Sequence, residues 1–299
     1  GKLPAFLASG PNLPVTSLVI LLVALAEERR ALQGCLLDRR GGVLDDRPLV
    51  QGRLADRDVL LLQGGIGRDR ARTSVLAAAR HFRLQAVWSL GFAGGLADRL
   101  RPGDLIYPAG LLDDAAPDTL PLPLTPHHTT VSAALRGASL SVDTGLLLTV
   151  DAPLGTPEAK RAAYLRTGAV AVDMETAGAA AAAQDLGIPW TALKAIVDAA
   201  GSALPPVLTK CTTPQGELDR AGLLAASLGG RRAWRALIRM GWASRRAGRN
   251  LRRGLETAFG AWAALTPPEV SSTMQARGGL QEARMGSNRD NEEPASCDH

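Results

Sequence analysis

Residues 168–200, GAVAVDMETAGAAAAAQDLGIPWTALKAIVDAA, decide the fold. Residues 169–172 are an apolar run of strand length. Glu175 opens an alanine-rich segment that stops at Gly187; alanine is the best helix former and glycine commonly ends helices. Ile188 and Pro189 punctuate, and residues 190–197 form a second apolar run closed by Asp198. The segment therefore reads as strand, helix, strand. Parallel strands joined by a helix bring their C-terminal ends to one rim of the sheet, where open α/β sheets bind ligands. Glu175 and Asp198 stand at those ends. Two carboxylates on one rim fit acid–base chemistry. They fit equally a helix N-terminal glutamate favoured by the dipole and a strand-end aspartate capping the next loop.

The string VDMETAG, with Asp198 following 23 residues after its glutamate in KAIVDAAG, resembles the nucleoside phosphorylase and nucleosidase family. Its members cleave the N-glycosidic bond between ribose and a base. The resemblance implies an α/β fold of three layers, αβα, around a central, mostly parallel, mixed sheet. It makes Met174 pack on the ribose, Glu175 accept from the ribose hydroxyls, and Asp198 protonate or hydrogen-bond a purine at N7. A purine leaves poorly as an anion, so a proton donor lowers the barrier, and a carboxylate stabilises oxocarbenium character on the ribose. The family carries Ser before that Asp and Arg four residues before it. Here these are Val197 and Lys194, and a lysine at the binding site keeps the charge without the guanidinium fork.

The resemblance extends outward over most of residues 18–206. Residues 18–26 read as a first strand buried on both faces. The family's Ala-Met-Glu-Glu-Glu string is matched in part at the end of that strand, with Leu25 and Ala26 replacing Met and the first Glu. Its last glutamate falls on Glu28, which the resemblance makes the activator of the attacking water. Glu27 and Glu28 also suit a solvated first helical turn. Residues 41–57 read as a polar hairpin or loop, and 59–63 as a strand running into GGIGRDRAR. Gly64, Gly65 and Gly67 allow close backbone approach before a helix N-terminus that attracts anions. Arg70 replaces the third glycine of a dinucleotide fingerprint. The family's Gly-Ile-Gly turn fits better, and Arg68 there suits either a phosphate contact or a simply solvated side chain. Residues 86–90 form a buried strand ending in GFAGGL, where the family has Gly-Ser-Ala-Gly-Gly. Phe92, Ala93 and Gly94 are thereby substrate contacts, with Phe92 an apolar wall in place of a hydroxyl. The family places the base against residues 150–153.

Composition narrows the class. Of 299 residues 46% are apolar, enough for one α/β core. The three cysteines and four histidines form no metal-ligand spacing. The longest apolar run is far shorter than the ~20 residues of a spanning helix. Residues 231–253 hold nine arginines and no acid, with Trp234, Leu237, Ile238 and Trp242 at helical spacing. That pattern fits an anionic membrane surface, or a helix whose apolar face packs on the core. Four regions are expected: a disordered arm (1–15), the catalytic domain (16–210), a basic helical extension on or near the core (211–265), and a disordered tail (266–299).

LGFAGG, TGAVAVDMET and a Leu-Pro-Pro after Asp198 are similar to the hopanoid-associated phosphorylase branch. That likeness implies release of adenine from an adenosylated hopane lipid, by phosphorolysis with inorganic phosphate as co-substrate or by hydrolysis. No cofactor or metal is expected. The alternatives are a methylthioadenosine/adenosylhomocysteine nucleosidase and a non-catalytic nucleoside-binding module. The expected partners are a small nucleoside or adenosyl lipid, an anionic membrane through 231–253, and a second copy of the chain. Nucleic acid is not among them, because no reading motif accompanies the arginines. The expected location is cytoplasmic, at the inner face of the membrane.

Overall fold

A computed structural model describes residues 17–116, 122–123, 127–203 and 231–266, for 122–123 and 231–243 as backbone only. The expected arm, most of the tail and the boundary near residue 210 lie outside the described residues. In chain order the elements are β1 (Leu18–Val23), α1 (Ala26–Leu32), β2 (Leu37–Leu44), β3 (Arg47–Leu54), β4 (Arg57–Gln63), α2 (Arg68–Ala79), β5 (Leu84–Gly95), β6 (Leu105–Ile106) and β7 (Gly110–Asp113). Next come β8 (Leu122–Pro123), α3 (His128–Gly137), β9 (Val142–Asp143), β10 (Leu147–Thr149), α4 (Pro157–Thr167), β11 (Ala171–Asp173), α5 (Thr176–Asp185), β12 (Trp190–Asp198) and α6 (Arg231–Leu265).

One mixed sheet runs β2-β3-β4-β1-β5-β11-β10-β7-β8, with β12 paired to β5 and β6, and β6 to β9. Its centre, β4-β1-β5-β12, is parallel throughout. Antiparallel pairs lie around that centre, so the sheet is mixed with a parallel core, as expected. The stretch read as a hairpin or loop at 41–57 is a three-stranded meander. Its two-residue turns are Asp45-Asp46 (φ 44° and 64°) and Ala55-Asp56 (φ 45° and 61°). Positive φ at both turn positions matches the twist of a tight hairpin.

β1 is buried at every residue, as a central strand covered on both faces must be. Leu18, Ile20 and Leu22 pack with Val75 of α2 and the alanines of α5. Val19, Leu21 and Val23 face the other way, toward Leu32 of α1, Val131 and Leu135 of α3, and α6. The basic C-terminal segment belongs to this second layer. From Ala247 onward its apolar stripe (Leu251, Leu255, Phe259, Trp262) is buried. The rings of Phe259 and Trp262 lie 5.4 and 5.9 Å from that of Trp88 on β5. No helix among the described residues is long and apolar enough to cross a membrane.

Candidate active site

The C-terminal ends of β1, β5, β11 and β12 surround a cavity of about 230 Å³. Glu28, Glu175 and Asp198 all line it, as do Met174 and Phe92.

Glu28 sits in the first turn of α1 and folds its carboxylate back over the helix start. Oε2 accepts from the backbone N–H of Ala24 (2.9 Å) and Leu25 (2.8 Å), and Oε1 from that of Phe92 (2.7 Å). A helix start leaves such donors unpaired, so the carboxylate completes the helix while being fixed by it. Gly91, at φ 140°, makes room for it: a Cβ there would stand 2.6 Å from Oε1. Burial pushes the Glu28 carboxyl above its usual range, against the pull of those three N–H groups and the Lys194 charge.

Glu175 caps α5. Its Oε1 accepts from the Gly67 N–H (3.1 Å) and its Oε2 from the Met174 N–H (3.3 Å). Burial, the neighbouring Asp173 charge and the more distant Glu28 raise its pKa to about 7, opposed by Lys194 and the Gly67 N–H. Asp173, which sequence reasoning passed over, anchors the floor. It accepts from Thr149 Oγ1 (2.7 Å), from the hydroxyl of Thr176 and from the Thr176 N–H (3.2 Å), and it pairs with Lys194 Nζ (2.9 Å).

Asp198 is aimed by an irregularity. β12 follows β5 in register to Ile196 opposite Ala93, then skips Val197 and places Asp198 opposite Gly94. A bulge of this kind re-aims a side chain at the end of a strand. Asp198 then pairs with Lys160 of α4. Burial pushes its carboxyl above the usual range, and the Lys160 ammonium pulls it back.

Five expected contacts, Arg68, Lys194, Gly64, Gly65 and Gly67, are absent from the cavity lining. Arg68 does not line the cavity; its guanidinium is held between Asp113 (2.5 Å) and Asp151 (2.6 Å), so it is not free to meet a phosphate as expected. Lys194 lies beneath the cavity on Asp173, 1% exposed, as a buried counter-charge rather than a substrate contact. Gly64 and Gly65 also lie outside the lining. Gly64 lets the turn approach α2, where a Cβ would meet Ser74 Oγ at 2.9 Å, and Ile66 is the member of that turn that reaches the cavity. Gly67 acts through its N–H on Glu175. Ala93 and Gly94 line the cavity, as do Val150 and Pro153 of the expected base wall. Among the described residues no cluster of His, Cys, Asp and Glu is arranged to hold a metal ion.

A family model described as the phosphorylase superfamily matches residues 18–227. A 5'-methylthioadenosine/S-adenosylhomocysteine nucleosidase from Marinomonas sp. (strain MWYL1) is 28% identical over 208 residues, which are 63% of this chain and 89% of that protein. One from Geobacillus kaustophilus (strain HTA426) is 29% identical over 191 residues, 58% of this chain and 79% of that protein. The crystal structure of S-adenosylhomocysteine nucleosidase from Streptococcus pyogenes, in complex with 5-methylthiotubericidin, superposes with a TM-score of 0.63 at 21% identity, covering 83% of this chain and 98% of that one. Futalosine hydrolase of Helicobacter pylori superposes with a TM-score of 0.61 at 18% identity, covering 82% and 97%. At these identities the structural likeness is one of fold.

Proposed function

The chain belongs to the phosphorylase superfamily, and from that premise we propose that it is a nucleosidase that hydrolyses the N-glycosidic bond of an adenine nucleoside of the 5'-methylthioadenosine or S-adenosylhomocysteine kind. One observation carries this reading: Glu28, Glu175 and Asp198 line a single cavity. Three backbone N–H groups fix Glu28, and capacity on its carboxylate remains for one water. Glu28 takes a proton from that water as its oxygen closes on C1' of the ribose. The glycosidic electron pair passes to the base, and Asp198 gives N7 a proton, so that the base leaves neutral. Glu175 holds the ribose hydroxyls and faces the developing positive charge. Hydrolysis is favoured over phosphorolysis by the lining. Among the described residues its one cationic side chain is Lys160, already tied to Asp198.

The test is release of adenine from 5'-methylthioadenosine and S-adenosylhomocysteine, with and without inorganic phosphate. Rates should not depend on phosphate. Glu28→Gln and Asp198→Asn should each lower kcat by ~10²–10⁴-fold, the range of a general acid or base. Dependence on phosphate would overturn hydrolysis. Tight binding of the nucleosides without release would leave a binding module.

A second reading, an adenosylated lipid such as an adenosyl hopane, draws support from Phe92. That side chain walls the cavity on one side and, on the other, a groove lined by Arg30, Arg245, Arg249 and Arg252. A long apolar 5' substituent could leave past Phe92 while the arginines meet an anionic membrane. Faster release from an adenosyl lipid in anionic vesicles than from 5'-methylthioadenosine would establish it; no release from the lipid would remove it.

A further inference from the structure

Lysine is scarce in this chain: four stand among 34 basic residues. Two of the four, Lys160 and Lys194, fall among the described residues, and both are 1% exposed and paired with an aspartate of the site. Lys194 offsets the buried charge of Asp173. Lys160 has no part in the chemistry so far. It enters from α4, a helix set in place by a Thr156 N-cap (Thr156 Oγ1 accepting from the Ala159 N–H, 3.2 Å), Pro157 in the first turn and a left-handed Gly168 at the end. Its ammonium has three protons and three acceptors: Asp198 Oδ2, the Ala199 carbonyl (2.9 Å) and the Ser202 carbonyl (3.0 Å). Two carbonyls of the turn after β12 thus hold the ammonium, and its third proton holds one oxygen of Asp198. Among the described residues Oδ1 has no partner, and Asp198 borders the cavity.

We propose that Lys160 is the positioning residue of the proton donor: it fixes Asp198 through Oδ2, leaves Oδ1 to face the base, and balances the charge that remains on Asp198 once its proton has gone to the base. The inference rests on the nucleosidase reading. In the step it serves, the proton leaves Asp198 for N7, the glycosidic pair goes to the base, and the new carboxylate stands against an ammonium already in place. The charged groups around Asp198 are Lys160 from α4, Glu28 from α1, Asp173 and Glu175 from the corner between β11 and α5, and Lys194 on its own strand; of these, Lys160 makes the direct pair. The adjacent Val197, bulged out of register, has no hydroxyl with which to orient Asp198. Burying an ammonium carries a desolvation penalty, which an apolar side chain at this position would avoid. A role in the reaction accounts for its presence.

The experiment compares Lys160→Met and Lys160→Gln with the unaltered chain across the pH range of activity. Glutamine keeps donors toward Asp198 without the charge, and it carries the test if the methionine variant does not fold. In both, kcat should fall on the order of tenfold to a hundredfold, part of a general acid's contribution, with KM nearly unchanged. The basic limb of kcat/KM should move to higher pH, because Asp198 has lost the cation that held its pKa down. Lys160→Met added to Asp198→Asn should cost nothing further. A carboxyl NMR titration of Asp198, which needs no turnover, should show the same upward movement. A folded Lys160→Gln with an unmoved basic limb and an unmoved Asp198 titration would overturn the proposal while leaving the nucleosidase reading intact. Release of no base by the unaltered chain would instead count against the nucleosidase reading, with the NMR titration still deciding whether Lys160 governs Asp198.

Discussion

Glu175 is poorly placed to carry a charge, and the proposed nucleosidase step asks for one there. Burial and Asp173 raise its pKa from 4.5 to about 7, while only the ionised carboxylate can accept with both oxygens from ribose hydroxyls without presenting a donor of its own. Linkage gives the sign. Below the unfolded value both states hold the proton and stability is unaffected. Between 4.5 and about 7 the unfolded chain ionises while the folded chain does not, so stability falls as pH rises, and the full cost persists above about 7. Glu175→Gln should therefore stabilise the protein at pH ~8, on the order of a few kcal/mol, and hardly at all at pH ~4. Urea unfolding at the two values checks this. Nucleoside binding should tighten as pH rises through 7 and release a proton, which calorimetry in two buffers would detect. The positions of Glu28, Glu175 and Asp198 were legible because each ends or follows an apolar run. Asp173 and Lys160 were not, because what singles them out is contact: Lys160 meets Asp198 from 38 residues away. A trace of it was present in the sequence, since Lys160 lies three residues before Ala163 on the buried face of α4. Arg68 misled for the same reason: Asp113 and Asp151, which occupy it, are remote in sequence.

At the scale of elements, the alanine-rich helix α5 is defined by how thin it is. A Cβ on Gly178 would stand 1.9 Å from the carbonyl oxygen of Arg68, in the first turn of α2. Backbone meets backbone there, and no rotamer change relieves the clash. Gly178→Ala should therefore cost ~3 kcal/mol or more, at or above the usual range for overpacking. It should also weaken nucleoside binding, because the displaced turn carries the Gly67 N–H that holds Glu175. Chemical denaturation and the KM for base release check the two halves. The elements around this contact were readable from periodicity: the strand, helix and strand of 168–200 are β11, α5 and β12, with ends shifted by a residue or two. The β2–β3–β4 meander was less so, since its turns place aspartate and alanine rather than glycine at positive φ.

For the whole molecule, the second helical layer depends on a distant segment. The arginines of 231–253 drew attention to an exposed face, whereas the partner of the apolar stripe, Trp88 on β5, is not marked in any local pattern. Phe259→Ala and Trp262→Ala should each destabilise by ~3–5 kcal/mol, as large-to-small changes in a packed core do. Neither residue lines the cavity, so the KM of the protein that remains folded should be unchanged; thermal melting and steady-state kinetics separate the two effects. The same arrangement sets an order of events during synthesis. The face of β5 that bears Trp88 emerges from the ribosome more than 160 residues before Phe259 and Trp262, which cover it. At ~5–20 residues per second the nascent chain spends roughly ten seconds or more with an apolar sheet face open. Completion of the fold is therefore a late step, and in the interval the chain is exposed to aggregation and dependent on whatever holds that face apart from others of its kind.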